Sequence, residues 1–286
     1  MKAYKSGFTL VELLLVIASV AVLITVLLPA YAGTRQNAQA IGCLANQKRL
    51  AGAWIMYARD NRDVLVQNLG LGGHSPILVN PLANPDLRPG GKYAQWCPGS
   101  AQNLTIVLDY NHWIKAGLLC TYLNTLSVYH CPSDQNRLPR GVAPAFQKPA
   151  LRTYSMNCWI QSMDGAGYNT VAFNGISGYL VYTKLSNMSR PGPSKTWVFI
   201  EESPIGIDDA YFAVDPRQTT TWFNVPAVLH GNASVLAFAD GHSDAHRWTD
   251  GNMIQGFGAN SNGNNVPADP NSQDLAWFLS VTTVHQ

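Results

Sequence analysis

The chain has 286 residues, of which 13 % are charged, and a formal net charge of +2. That balance excludes a basic stripe for nucleic acid. With 24 Gly, 8 Trp and 12 Tyr, it describes a polar, loop-rich exterior over a core large enough to need no covalent staples.

The first predicted element is the start of the chain. From Phe8 to Leu28 nearly every residue is apolar, with Glu12 the one ionisable side chain. As a helix this stretch covers roughly 30 Å, the hydrocarbon thickness of a bilayer. A carboxylate inside such a span costs about 2.5–3.5 kcal/mol and calls for a partner. Lys2 and Lys5 followed by an apolar run and Ala30-Tyr31-Ala32 also fit a secretory signal peptide, although the run is longer than the usual 7–15 residues of such segments.

Beyond Pro29, which should kink the rod, Ile41, Leu44, Ala51, Trp54, Ile55 and Ala58 recur at helical spacing and predict an amphipathic continuation to about residue 60. Gly33, Gly42 and Gly52 interrupt it. Residues 66–103 are rich in Gly, Pro and Asn and read as a long loop. A helix is expected from Asn111 to Leu126, then a turn at Cys131-Pro132-Ser133-Asp134.

Short strand-like runs follow: Arg152–Asn157, Tyr179–Tyr182 and Thr196–Ile200. The strongest hairpin signal is Val235–Ala239, a two-residue Asp240-Gly241 turn, and His242–Trp248. A short apolar segment, LAWFL, closes the chain. Five cysteines (Cys43, Cys97, Cys120, Cys131, Cys158) contain no C-x2-C pair. Cys120 and Cys131 are near enough to staple one loop, while spacing leaves connectivity open.

Gly7-Phe8 followed by TLVELLLVI, behind Lys2 and Lys5, resembles the leader of type IV prepilins and type II secretion pseudopilins. The resemblance implies cleavage between Gly7 and Phe8 by a prepilin peptidase and N-methylation of Phe8. It also implies pairing of Glu12 with a neighbouring subunit's terminal amine, and a helix kink at Pro29. His230, nine residues, then Asp240-Gly241 is similar to the H-x9-DG element of bacterial prepilin-like proteins, and CPSD, RTYSMN and EES lie in a similar order.

The implied fold is α+β and pilin-like, a long N-terminal helix packed on an antiparallel head. Residues 1–7 would be the leader, 8–62 the helix (8–28 transmembrane) and 63–286 a periplasmic or extracellular head. The implied function is a structural subunit of a type IV pilus or type II secretion filament. Its partners would be prepilin peptidase, other pilin subunits with their assembly machinery, and the inner membrane. The alternative is a membrane-anchored exported module that binds polysaccharide or a secreted substrate.

For chemistry, His242, Asp244 and His246 alternate, so a strand would project all three from one face, a set suited to zinc or iron. His230 and Asp240 could join them, or bond each other to fix the hairpin. Asp208, Asp209 and Asp215 offer oxygens suited to calcium, without EF-hand spacing. No G-x-S-x-G, Walker or HExxH pattern occurs, and no enzyme is expected.

Overall fold

Helix α1 (Leu10–Asp60) dominates the computed structural model, which describes residues 9–69, 89–91, 94–102, 110–138, 143–161, 176, 178–259 and 264–286. Thr9 caps it. Its hydroxyl accepts from the Glu12 N–H at 3.2 Å while the Glu12 carboxylate accepts from the Thr9 N–H at 2.8 Å, a reciprocal capping box. These bonds to Thr9 hold the Glu12 carboxyl below its usual range. Gly7 and Phe8 lie outside the described residues, and Pro29 falls inside the unbroken span of α1.

Toward its C-terminal end α1 buries Cys43, Gln47, Leu50, Ala51, Trp54 and Ala58, a stripe at three- and four-residue steps. The expected stripe was out of phase at its start: Ile41 is 66 % exposed, and Cys43 takes the inward position. At its other end Leu10, Val11, Leu13, Leu15 and Ile17 are exposed.

The expected transmembrane segment is corrected here. Among the described residues no helix is long and apolar enough to cross a membrane.

Five strands form the main sheet in the order β5-β3-β4-β7-β8, from β3 (Tyr154–Asn157), β4 (Trp197–Glu201), β5 (Tyr211–Phe212), β7 (Ala233–Phe238) and β8 (Ser243–Arg247). The pilin-like antiparallel head is also corrected, because the sheet is mixed. After β4 the chain crosses beyond β3 and returns beside it in the same direction, pairing Met156 with Tyr211 and Asn157 with Phe212 in parallel. Two small ladders lie apart: β1 (Arg137–Leu138) with β2 (Lys148–Pro149), and β6 (Thr221–Asn224) with β9 (Asn264–Pro267). Tyr179 and Tyr182, expected in a strand, make only isolated bridges, to His285 and Ile160.

α1 packs on β7, β8 and β4. β4 is buried along its whole length, as its WVFIE sequence requires of a central strand. Phe278, on α4 (Gln273–Ser280), stacks on Trp197 at 5.1 Å between ring centres and also meets Trp222 and Trp248. α3 (Gly251–Ala259) precedes β9.

The helix expected over 111–126 is broken. α2 (Tyr110–Lys115) stops at Gly117, and 3-10 turns follow at Leu118–Tyr122 and Leu126–Tyr129. A Cβ on Gly117 would lie 2.3 Å from the Trp96 carbonyl oxygen, so the chain passes there only as glycine. The β7–β8 hairpin has a three-residue loop, Ala239-Asp240-Gly241. Phe238 O accepts from Gly241 N, Phe238 N donates to His242 O, and only Gly241 takes positive φ (96°). A type I turn closed by a left-handed glycine replaces the expected two-residue turn.

Candidate metal centre

Four segments far apart in sequence meet where α1 lies on the sheet. Cys43 comes from the buried stripe of α1 and Glu201 ends β4. Cys131 opens the turn Cys131-Pro132-Ser133-Asp134, closed by Asp134 N donating to Cys131 O at 3.0 Å. That turn is anchored beside β3, where Cys131 N donates to Thr153 Oγ1 and the same hydroxyl donates to Asp134 Oδ2.

His230 precedes β7. Gly231 and Asn232 both take left-handed backbone (φ 64° and 65°), and Gly and Asn are the residues that tolerate it. The reversal turns His230 back toward the helix.

The sulfurs of Cys43 and Cys131, a Glu201 carboxylate oxygen and a His230 ring nitrogen all lie within 4.8 Å of one another. The Cys43 thiol donates to Glu201 Oε1 at 2.8 Å, His230 Nε2 is 3.0 Å from that oxygen, and Cys131 Sγ is 3.3 Å from Nε2. Cys43, Cys131 and Glu201 are fully buried, and the His230 side chain is 5 % exposed.

A second layer holds these groups in place. Val235 N donates to Glu201 Oε2 at 2.8 Å, Tyr154 OH lies 3.1 Å from Cys43 Sγ, and Ser133 Oγ is 3.3 Å from His230 Nδ1. With Nδ1 facing Ser133, Nε2 is the nitrogen aimed at the cluster.

The electrostatics follow from this packing. Burial pushes the Cys43 thiol well above its usual range. Cys131 is held below its own, because hydrogen bonds with Cys43 and then His230 outweigh burial. Burial alone would lower His230, but its bonds to Cys131 and Glu201 raise it to about 10. A buried carboxylate is costly unless paired, and Glu201 has the Val235 N–H, the Cys43 thiol and His230 around it.

Two thiols, an imidazole and a carboxylate make a tetrahedral zinc-type donor set. Zn–S near 2.3 Å and Zn–N/O near 2.0–2.1 Å imply donor-to-donor separations of about 3.3–3.8 Å. Three of the contacts, at 2.8–3.3 Å, are hydrogen-bond distances that an ion would lengthen by about half an ångström, and the remaining pairs lie within 4.8 Å. The residues fit the ion.

Other residues singled out from sequence do not converge. His242 stacks on Phe238 and pairs with Asp240 at 2.5 Å, while Asp244 is exposed. His246 stacks on Trp277 with ring centres 3.8 Å apart. Their alternation marks an outward-facing strand edge, and Asp240 bonds His242 rather than His230.

Asp209 accepts from Tyr211 N, and Asp215 pairs with Arg217 at 2.9 Å, so both serve local turns. Among the described residues the Cys43–Cys131–Glu201–His230 group is the one constellation of potential metal donors. The Cys120–Cys131 staple is likewise corrected, because all five cysteines are free thiols and Cys131 faces Cys43.

Gly42 lets α1 approach the Cys131 turn: a Cβ there would sit 3.3 Å from Pro132 Cγ. Sequence reasoning missed Cys43, Cys131 and Glu201 as members of this cluster. The available signal was an acidic residue ending an otherwise apolar central strand, which needs a buried partner.

No family model, no curated protein and no solved structure matches this chain. The prepilin and pseudopilin resemblance of the leader and the H-x9-DG element therefore finds no support in any related protein. With no membrane-crossing helix among the described residues, the readings built on it are corrected too. These are the pilus or secretion-filament subunit, the membrane-anchored binding module, the inner-membrane placement, and the peptidase, pilin and membrane partners. What the fold and site define is an α+β protein with a mixed five-stranded sheet. At its helix–sheet junction two cysteines, a glutamate and a histidine form a buried cluster.

Proposed function

We propose that this chain is a metal-holding protein whose buried centre takes one zinc-class ion through Cys43, Cys131, Glu201 and His230. The observation that carries the reading is that these four donors, drawn from four separate segments, lie within 4.8 Å of one another with almost no exposure. Thiolate donors favour zinc over calcium or magnesium, which prefer oxygen alone.

Four protein donors close the coordination shell and leave no open position for water or substrate. That is the pattern of a structural rather than a catalytic site, and the chain is proposed to be non-enzymatic. The ion's role is to fasten α1 and the Cys131 turn to the end of β4. Ser133 and Tyr154 orient His230 and Cys43 for it.

Calorimetric titration of zinc into the reduced full chain tests the reading. One ion per chain is expected, with cobalt(II) in its place showing the absorption of a tetrahedral, thiolate-bound ion. Cys43→Ser, Cys131→Ser and His230→Gln should each weaken binding by at least a hundredfold. Flat heats together with an unchanged melting temperature for the wild-type chain would leave the cluster as a purely hydrogen-bonded junction.

A further inference from the structure

We propose that Cys43 and Cys131 are a redox pair, and that their disulfide and the bound ion are mutually exclusive states of one site; the second half rests on the metal reading above. The two sulfurs lie within 4.8 Å of each other, both fully buried. The helix and the turn that carry them meet here: a Cβ on Gly42, beside Cys43, would sit 3.3 Å from Cγ of Pro132, beside Cys131. A disulfide needs sulfurs about 2.05 Å apart on Cα atoms roughly 4.4–6.8 Å apart. With the helix and the turn side by side, the sulfurs have to close from within 4.8 Å to bonding distance.

Cys131 is placed as the attacking sulfur. Ser133 N donates to it at 3.4 Å and His230 Nε2 lies at 3.3 Å, so developing negative charge on sulfur is met by donors. Cys97 and Cys158 are also buried thiols, but Cys158 is engaged with the Val214 backbone, and neither belongs to the cluster.

With hydrogen peroxide as oxidant, the Cys131 sulfur attacks one peroxide oxygen. The O–O bond breaks, one water leaves with the thiol proton, and Cys131 becomes a sulfenic acid. The Cys43 sulfur then attacks the Cys131 sulfur, the S–O bond breaks, and the oxygen leaves as a second water with the Cys43 proton. Two thiols and one peroxide give one disulfide and two waters, and two electrons pass from sulfur to oxygen. Only Glu201 and His230 then remain as donors, too few to retain the ion.

The test treats the reduced full chain, metal-free and zinc-loaded, with hydrogen peroxide. Non-reducing peptide mapping then locates cross-links, and a chromophoric chelator follows released zinc. A Cys43–Cys131 peptide lighter by two hydrogens is expected in the metal-free chain, forming several-fold more slowly when zinc is bound. Zinc uptake should be lost on oxidation and restored by a dithiol. Cross-links confined to Cys97 and Cys120, Cys131 oxidised without a cross-link, or full zinc uptake by the cross-linked chain would each overturn the proposal.

Mapping the wild-type chain needs no variant to fold. If the reduced chain takes no zinc at all, the metal reading falls in that measurement, while the cross-link map still judges the thiol pair.

Discussion

Glu202 stands one residue from a cluster ligand and sits in a different environment. Ser155 Oγ donates to its Oε2 at 2.5 Å and Asn224 Nδ2 to its Oε1 at 2.7 Å, and it is fully buried. Burial raises its carboxyl well above the usual range. The folded state therefore binds this proton more tightly than the unfolded chain does. The resulting stability is fully present below the unfolded pKa near 4.5 and erodes as pH rises toward the folded value. Glu202→Gln, which removes the titrating proton and keeps an acceptor for Asn224, should flatten that pH dependence in urea unfolding followed from pH 4 to 8. An unchanged slope would assign the dependence to another group.

Gly117 makes a second prediction at this scale. An alanine there meets backbone rather than a flexible side chain, so Gly117→Ala should destabilise by about 1–3 kcal/mol, read as a lower urea midpoint at constant slope. Neither residue was visible in the sequence. A buried neutral carboxyl and a glycine under a carbonyl are both defined by what lies opposite them.

Among the elements, periodicity disclosed α1, β4 and the β7–β8 hairpin, because each repeats a simple local pattern. It failed on phase and on ends. Ile41 is exposed although it fits the apolar spacing, since the turn at Cys131 and Pro132, and not the helix itself, decides which side is covered.

His242, Asp244 and His246 alternate neatly, yet His242 stacks on Phe238 and His246 on Trp277. The true cluster joins positions 43, 131, 201 and 230, a set no local spacing can encode. α4 shows what such distant contacts do for an element. Asp274 Oδ2 accepts from Thr249 N at 2.5 Å and from Asp250 N at 2.7 Å, tying α4 to the segment between β8 and α3. Asp274→Ala strands these donors and should cost about 2–3 kcal/mol, measured by chemical denaturation. Thr249→Ala, which removes only the 3.0 Å hydroxyl bond, should cost about 1 kcal/mol.

For the molecule as a whole, an ion held only by the native state stabilises it by mass action, by about 4 kcal/mol when free zinc is a thousandfold above its dissociation constant. Removing it with a chelator should lower the melting temperature, and His230→Gln should make the protein insensitive to chelator. Because the thiols must lose their protons to bind, affinity should climb as pH rises from 6 to 8. Calorimetric heats should then vary with the ionisation enthalpy of the buffer. A pH-independent affinity would argue against thiolate ligands.

The seating of Cys43 on α1, with the other three donors on the sheet side, has a consequence for how the chain matures. A nascent sheet that has not yet received its helix presents an incomplete triad, able to hold an ion only loosely. On the proposed metal reading, tight capture would come last, once the rod has docked, so the ion would act as a latch that closes on finished molecules and passes over half-built ones.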